Sequence, residues 1–258
     1  MTAEPGAPAS WPEIAAWYDG LLGAGSGPHE LAVTVTMRLV PELRGLRVLD
    51  LACGQGLAAR ALARAGAASV TGVDVTPEMI ELARRHEANG PLGISYLVDD
   101  AQELASLPDA SFDLVTCQLG LMDIPDLAAT LAAVARVLRP GGAFVFVIGH
   151  PCFLAPWAST VAGPDGRPAR TIGDYLTERF WRSANPAGVR RAGNHHRTVS
   201  TYLNALAASG FRLEIADEPP ATGALAREQP VYTSVPIFFA GRAVSRQAVR
   251  RTDVESAH

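Results

Sequence analysis

The chain has 258 residues and a formal net charge of -4, with 48% hydrophobic and 19% charged residues. That suits one large core, or a core with a small appendage, in an ordinary soluble protein. It excludes a broad basic face for nucleic acid, a disulfide framework on three scattered cysteines (Cys53, Cys117, Cys152), and a bilayer-spanning apolar run.

Residues 1–9 are rich in Pro, Ala and Gly and are expected to lack structure. The start carries no basic, apolar leader, so the expected compartment is the cytoplasm. Ser10-Trp11-Pro12-Glu13 is a capping box with proline in the first turn. It predicts a helix through Leu22, with Ile14, Trp17, Tyr18 and Leu21 on one face. Gly23 to Pro28 breaks it, and His29 to Leu39 forms a second helix.

Val48 to Leu51 is a short buried strand ending beside two glycines, and Leu57 to Ala65 is the helix that follows. Gly54 and Gly56 let the backbone turn sharply and approach a ligand. The run Gly54-Gln55-Gly56-Leu57-Ala58-Ala59 also fits the dinucleotide fingerprint, and Asp74 lies where an acid would hold a ribose diol. Charge separates the two ligands. A dinucleotide sets its pyrophosphate on the helix N-terminus, where Asp50 would repel it. The same carboxylate suits a ligand with a cationic amino group and a sulfonium, which favours S-adenosylmethionine (SAM) over NAD.

Ser69 to Val73 is the second strand, and Thr76-Pro77-Glu78 opens a helix through Glu87. Ile94 to Val98 is the third strand, closed by Asp99-Asp100-Ala101, and Phe112 to Cys117 the fourth. A helix over Leu127 to Leu138 stops at Pro140-Gly141-Gly142, and Ala143 to Ile148 is a strand buried on both faces. This alternation predicts a parallel, doubly wound sheet. From Gly149 to Arg197 the pattern lapses, apart from a short helix near Ile172 to Trp181. So long a loop is usually a lid or binding insertion. A helix over Thr198 to Ser209, strands over Phe211 to Ala216 and Val235 to Ala240, and a loose tail past Arg242 complete the chain.

In order and spacing these elements resemble the class I SAM-dependent methyltransferases. The motifs are Val48 to Gly56, Gly72 to Met79, Val98-Asp99-Asp100-Ala101, Ser111 to Val115 and Leu138 to Gly142. The resemblance covers roughly residues 44–148; Ala52 departs from it, since the family often has glycine there. It implies an α/β fold with a Rossmann-like, mostly parallel sheet of about seven strands. The single domain would comprise an N-terminal helical cap (10–40), a SAM-binding core (44–148), a lid insertion after the fifth strand (149–197) and a closing helix and strands (198–242).

Roles follow from the resemblance. Asp50 would orient the methionine amino group, and Ala52 and Gly54 would lie along the methionine portion by main chain. Asp74 would accept both ribose hydroxyls, with Val75 beside it and Met79 near the adenine. Asp100 would accept from the adenine amino group, the Ala101 N–H would serve a ring nitrogen, and Gln118 would sit by the methionine half. Asp74 and Asp100 would otherwise be helix caps, and Met79 plain core.

Methyl transfer needs a nucleophile in line behind the methyl, and a base only where the acceptor must lose a proton. His150, just past a buried strand, is the expected base; it would otherwise brace its loop. Tyr18, His195 and His196 are the other acceptor-side candidates, each with a bland solvent-facing or packing alternative. The histidines and Cys152 lack zinc-type spacing, so no metal is expected. Cys117-Gln118-Leu119-Gly120 is not the signature of amino-methylating nucleic-acid enzymes. The expectation is a cytoplasmic monomer or homodimer, partnered by neither nucleic acid nor membrane. It would methylate a small aromatic or heteroaromatic metabolite at O, N or C in secondary metabolism and release S-adenosylhomocysteine (SAH). The alternatives are an NAD-dependent dehydrogenase and a SAM-binding protein without catalysis.

Overall fold

A computed structural model describes residues 10–185 and 187–246. The expected disorder of residues 1–9, and the tail beyond residue 246, lie outside the described residues. The capping box forms: the Ser10 N–H donates to a Glu13 carboxylate oxygen at 2.6 Å, and α1 runs Trp11–Gly23. α2 runs Gly27–Leu39, with Pro28 in its first turn, where a missing N–H costs nothing.

The alternating core follows as β1 (Arg47–Leu51), α3 (Leu57–Arg64), β2 (Ser69–Asp74), α4 (Pro77–Asn89), β3 (Ser95–Val98), β4 (Phe112–Gln118), α5 (Leu127–Val137) and β5 (Leu138–Gly149). Two small ribbons come next: β6 (Ser159–Ala162) with β7 (Pro168–Thr171), and β8 (Arg179–Trp181) with β9 (Asn194–His196). The chain closes with α6 (Val199–Ala208), β10 (Phe211–Asp217), α7 (Gly223–Glu228) and β11 (Phe238–Ser245).

Seven strands form one sheet in the order β10-β11-β5-β4-β1-β2-β3. The core pairings are parallel, and β11 inserts antiparallel between β5 and β10. Strand order reverses between β1 and β4, so the ligand crevice is expected outside their carboxyl ends. Leu131 and Val134 of α5, with Tyr202 and Leu206 of α6, bury one face of the sheet. Val35 and Leu39 of α2, Leu62 of α3 and Ile80 of α4 bury the other. The Tyr96 ring of β3 lies under the glycine turn: a Cβ on Gly56 would meet its hydroxyl at 2.3 Å, and one on Gly72 its ring at 2.7 Å. Gly56 also sits at φ +85°, so both sterics and conformation demand glycine there.

Several expected boundaries shift. β5 starts at Leu138, and its pairing slips between Phe112↔Leu138 and Leu114↔Ala143, so Pro140-Gly141-Gly142 bulges out within the strand. The last strand is displaced from Val235–Ala240 to Phe238–Ser245, because Val244 pairs with Ala143 and Ser245 with Phe211. No helix forms over Ile172 to Trp181. Residues 179–181 are drawn into a ribbon with β9 instead, and the Glu178 carboxylate leaves its own segment to accept from the Thr198 N–H (2.8 Å) and hydroxyl (2.9 Å) at the start of α6. Among the described residues no helix is long and apolar enough to cross a membrane.

Candidate active site

The carboxyl ends of β1, β2, β3 and β4 open into one cavity, with α1 across it through Trp11, Tyr18 and Leu22. Asp50, the penultimate residue of β1, is 1% exposed at its wall. One carboxylate oxygen accepts from the Thr116 hydroxyl at 2.9 Å; the other, Oδ2, is buried without a hydrogen-bond partner. Burial pushes this carboxyl up to about 7, against the opposing pull of the Thr116 hydrogen bond. An orphaned buried oxygen of this kind calls for a donor or a cation from outside the chain.

The turn that follows is strained where it meets the cavity. Ala52 has φ 52° and Leu119, across from it, φ 58°; non-glycine residues seldom adopt that region, and such strain gathers at ligand sites. The Ala52 methyl fits only because Gly120 has none: a Cβ there would lie 2.6 Å from the Ala52 Cβ. Gly54, at φ +54°, has open space on its side-chain face, with the Tyr18 ring 4.0 Å from where a Cβ would stand.

Asp74, at the end of β2, ties the turn to the next helix. Its carboxylate accepts from the Gly54 N–H and the Thr76 N–H, both at 2.9 Å. Burial is the leading cause and pushes this carboxyl above its usual range, and the two backbone donors oppose it. Val75 is exposed and Met79 fully buried, and both line the cavity. Past β3, Asp100 accepts from the Gln102 N–H at 2.8 Å, and Asp99 from the Ser106 N–H at 3.0 Å. Ala101 and Gln118 complete the wall; the Gln118 amide oxygen accepts from the Thr36 hydroxyl at 3.1 Å. Thus Asp50, Ala52, Gly54, Asp74, Val75, Met79, Asp100, Ala101 and Gln118 all surround one space.

The acceptor-side residues do not gather there. His150 is 3% exposed and does not line the cavity. Its Nδ1 accepts from the Cys152 N–H (3.2 Å), which leaves the proton on Nε2 for Glu218 at 2.7 Å. With both nitrogens committed it braces the loop, apart from the cavity in which a base is expected. His195 packs its ring on Phe180 at 4.9 Å, and His196 Nε2 bonds the Tyr175 carbonyl at 2.8 Å; both belong to β9, away from the cavity. They lie in the β8–β9 pairing, apart from the other expected site residues. Trp17 lies under the Arg191 guanidinium, 4.3 Å from it, and outside the cavity lining.

Tyr18 alone of the four lines the cavity. Its hydroxyl meets His29 Nε2 at 3.0 Å, and His29 Nδ1 meets the Ser26 hydroxyl at 2.7 Å. Burial lowers His29 to about 4, so it is neutral. Burial, with the charges of Asp123 and Asp74, drives the Tyr18 phenol far up, so it stays protonated. His29 was not singled out in the sequence; it reads as an ordinary helix-start residue, and only the packing of α1 on α2 makes it Tyr18's partner. Asp123, with Asp126, reads in the sequence only as too few acids after the fourth strand to argue for a metal. It stands five residues beyond the end of β4, on the same edge as the other acids, and that position was its signal.

A family model described as a methyltransferase domain matches residues 49–146. A crystal structure of an S-adenosylmethionine-dependent methyltransferase from Mesorhizobium loti is 33% identical, with a TM-score of 0.69, over 86% of this chain and 99% of that one. The chain belongs to the class I SAM-dependent methyltransferases. A ubiquinone biosynthesis O-methyltransferase from Xanthomonas oryzae pv. oryzae is 43% identical over 101 residues, 39% of this chain. The match spans only 42% of that relative's length.

The cavity of this methyltransferase suits its family's cofactor, SAM. Among the described residues five aspartates line it (Asp50, Asp74, Asp99, Asp100, Asp123) and no arginine does. That is hostile to a pyrophosphate and favourable to a ligand bearing an ammonium and a sulfonium. Asp50 Oδ2 is the orphan such an ammonium would satisfy. The open face of Gly54 is the approach a side chain would block. Among the described residues the lining offers no Arg or Lys to support the NAD reading.

Proposed function

We propose that this methyltransferase transfers the SAM methyl group to a hydroxyl of a small, uncharged aromatic acceptor of the secondary-metabolite type. The observation that carries this reading is the cavity itself: acids at the strand ends share its lining with the Tyr18 ring and apolar side chains such as Leu119, Ile124 and Pro125. A hydroxyl acceptor is also the reaction in the name of the Xanthomonas relative. The acidic balance of the chain disfavours nucleic acid as acceptor.

In this reading Asp50 Oδ2 and the main chain of Ala52 and Gly54 hold the methionine portion. Asp74 accepts from the ribose, Asp100 and the Ala101 N–H address the adenine, and Gln118 lies beside the methionine portion. When bound, SAM supplies an electrophilic methyl group on a positively charged sulfur. The chain's own work is to fix the acceptor in line, exclude water and receive a proton. Tyr18, kept protonated, offers a hydrogen bond to the acceptor side.

Methyl transfer to phenol, catechol and 2-naphthol, followed by mass spectrometry, tests this. The expected result is an O-methyl ether together with SAH. SAM binding without a product from any of the three would contradict it.

A further inference from the structure

We propose that Asp123 is the base that takes the acceptor's proton, on a turn held in place by Arg197 and with Arg190 as its counter-charge. This rests on the hydroxyl-acceptor reading above. The other acids of the cavity are engaged. Asp74 takes two backbone donors, Asp99 and Asp100 hold the turns after β3, and Asp50 is bound to Thr116 through one oxygen, with the other assigned to the methionine ammonium. Among the described residues the Asp123 carboxylate has no hydrogen-bond partner, and it faces the cavity beside Gly120 and Tyr18. His150, His195 and His196 lie elsewhere; His29 lines the cavity but has both ring nitrogens on Tyr18 and Ser26, and Tyr18 is held as a phenol.

The turn that carries Asp123 is rigid for a loop. The Asp123 N–H closes it on the Gly120 carbonyl at 2.8 Å. The buried Arg197 guanidinium donates to the carbonyls of Leu121 (3.1 Å), Ile124 (2.7 Å) and Pro125 (2.6 Å). The His195 N–H adds a bond to the Met122 carbonyl at 2.7 Å. Five carbonyl contacts fix the turn yet leave its acid free, which is how a reacting group is pre-positioned. The insertion therefore serves the site through Arg197 and the β9 backbone.

Five titratable or charged groups interact electrostatically with Asp123: Tyr18 from α1, Asp74 from β2, Cys117 from β4, Arg190 from the 3-10 turn Val189–Ala192, and Tyr202 from α6. Burial is the largest influence and pushes the carboxyl up to about 8; Arg190 lowers it and Asp74 raises it. A carboxylate so placed is a stronger base than an exposed one and changes state near neutral pH. In the step, the acceptor oxygen forms its bond to the methyl carbon and loses its proton to an Asp123 oxygen. The electron pair of the broken sulfur–carbon bond stays on sulfur. The products are a neutral ether, a neutral thioether and a protonated Asp123, which water then deprotonates.

The test uses the full chain, saturating SAM, and phenol, catechol and 2-naphthol as probes. For the parent, kcat/KM should rise with pH and level off near about 8. Asp123→Asn should lose roughly 10²–10⁴-fold in turnover and the pH dependence with it, while SAH affinity stays that of the parent. Asp123→Glu should recover part of the rate. Arg190→Met keeps Asp123 and removes its counter-charge, so the rising limb should move to higher pH. Parental turnover in Asp123→Asn, or an unmoved limb in Arg190→Met, overturns the assignment. If the parent binds SAH but methylates none of the probes, the hydroxyl-acceptor reading falls and the base with it; an active parent with an equally active Asp123→Asn removes the base alone.

Discussion

Asp50 and Asp74 stand on neighbouring strands, yet their environments separate them. Asp74 holds two backbone donors, so its loss acts on the turn as well as on the ligand. Asp74→Ala should remove a charged acceptor worth about 1.5–3 kcal/mol, a tenfold or greater drop in SAM affinity by calorimetry. Asp50 is buried with an orphan oxygen, so its loss acts on the fold as well. Its ordinary value is 3.8 and its folded value about 7. Between these the unfolded chain holds fewer protons, so the ligand-free fold loses stability as pH rises through that window. Asp50→Asn should melt above the ligand-free parent at pH 8, by a margin that shrinks at pH 5, and should bind SAM weakly at both. Equal margins at the two pH values would refute the buried charge.

Ala52 and Gly120 allow a second test at this scale. Ala52→Gly relieves a left-handed residue, roughly 1 kcal/mol, or about 2–4 °C in melting temperature. Gly120→Ala should destabilise, since its Cβ would lie 2.6 Å from that of Ala52. Combining the two should restore stability beyond additivity; strict additivity would mean the two sites do not touch. The strand-end acids and glycines were legible in the sequence because each lies within a few residues of a strand that announces itself. His29, Asp123 and Gly120 were not, because their roles depend on Tyr18, Arg190 and Ala52, which lie far from them in the chain.

Among the elements, local pattern failed where pairing is non-local. Residues 172–181 carry enough helical composition to suggest a helix, but Arg179–Trp181 pairs with Asn194–His196, and Glu178 is spent on α6. The same ribbon turns His195 and His196 from the cavity. The insertion is thus two unlike parts. The end nearest α6 is pinned by Glu178, Tyr175 and Arg197, whereas the β6–β7 hairpin is exposed along β6. If the insertion is a lid, hydrogen exchange should show the hairpin fast in the free protein and slower with SAH plus 2-naphthol, and residues 194–198 slow throughout. Equal protection of the hairpin in both states would count against a lid.

At the scale of the whole molecule, the reversal of strand order between β1 and β4 creates the crevice, and α1 and α2 roof it. Parallel pairing places Asp50, Asp74 and Asp100 on one edge, so a doubly wound sheet needs no further device to gather them. That much follows from the alternation of strands and helices. The antiparallel β11, placed between β5 and β10, needed the full register to see. The account stands on the claim that this acidic crevice holds SAM. Titration calorimetry of the full chain with SAM, SAH and NAD, alongside Asp74→Ala, tests it most directly. The account predicts saturable binding of SAM and SAH, no binding of NAD, and at least about tenfold weaker SAM binding in the variant. Binding of NAD, or a parental SAM affinity in Asp74→Ala, would contradict it.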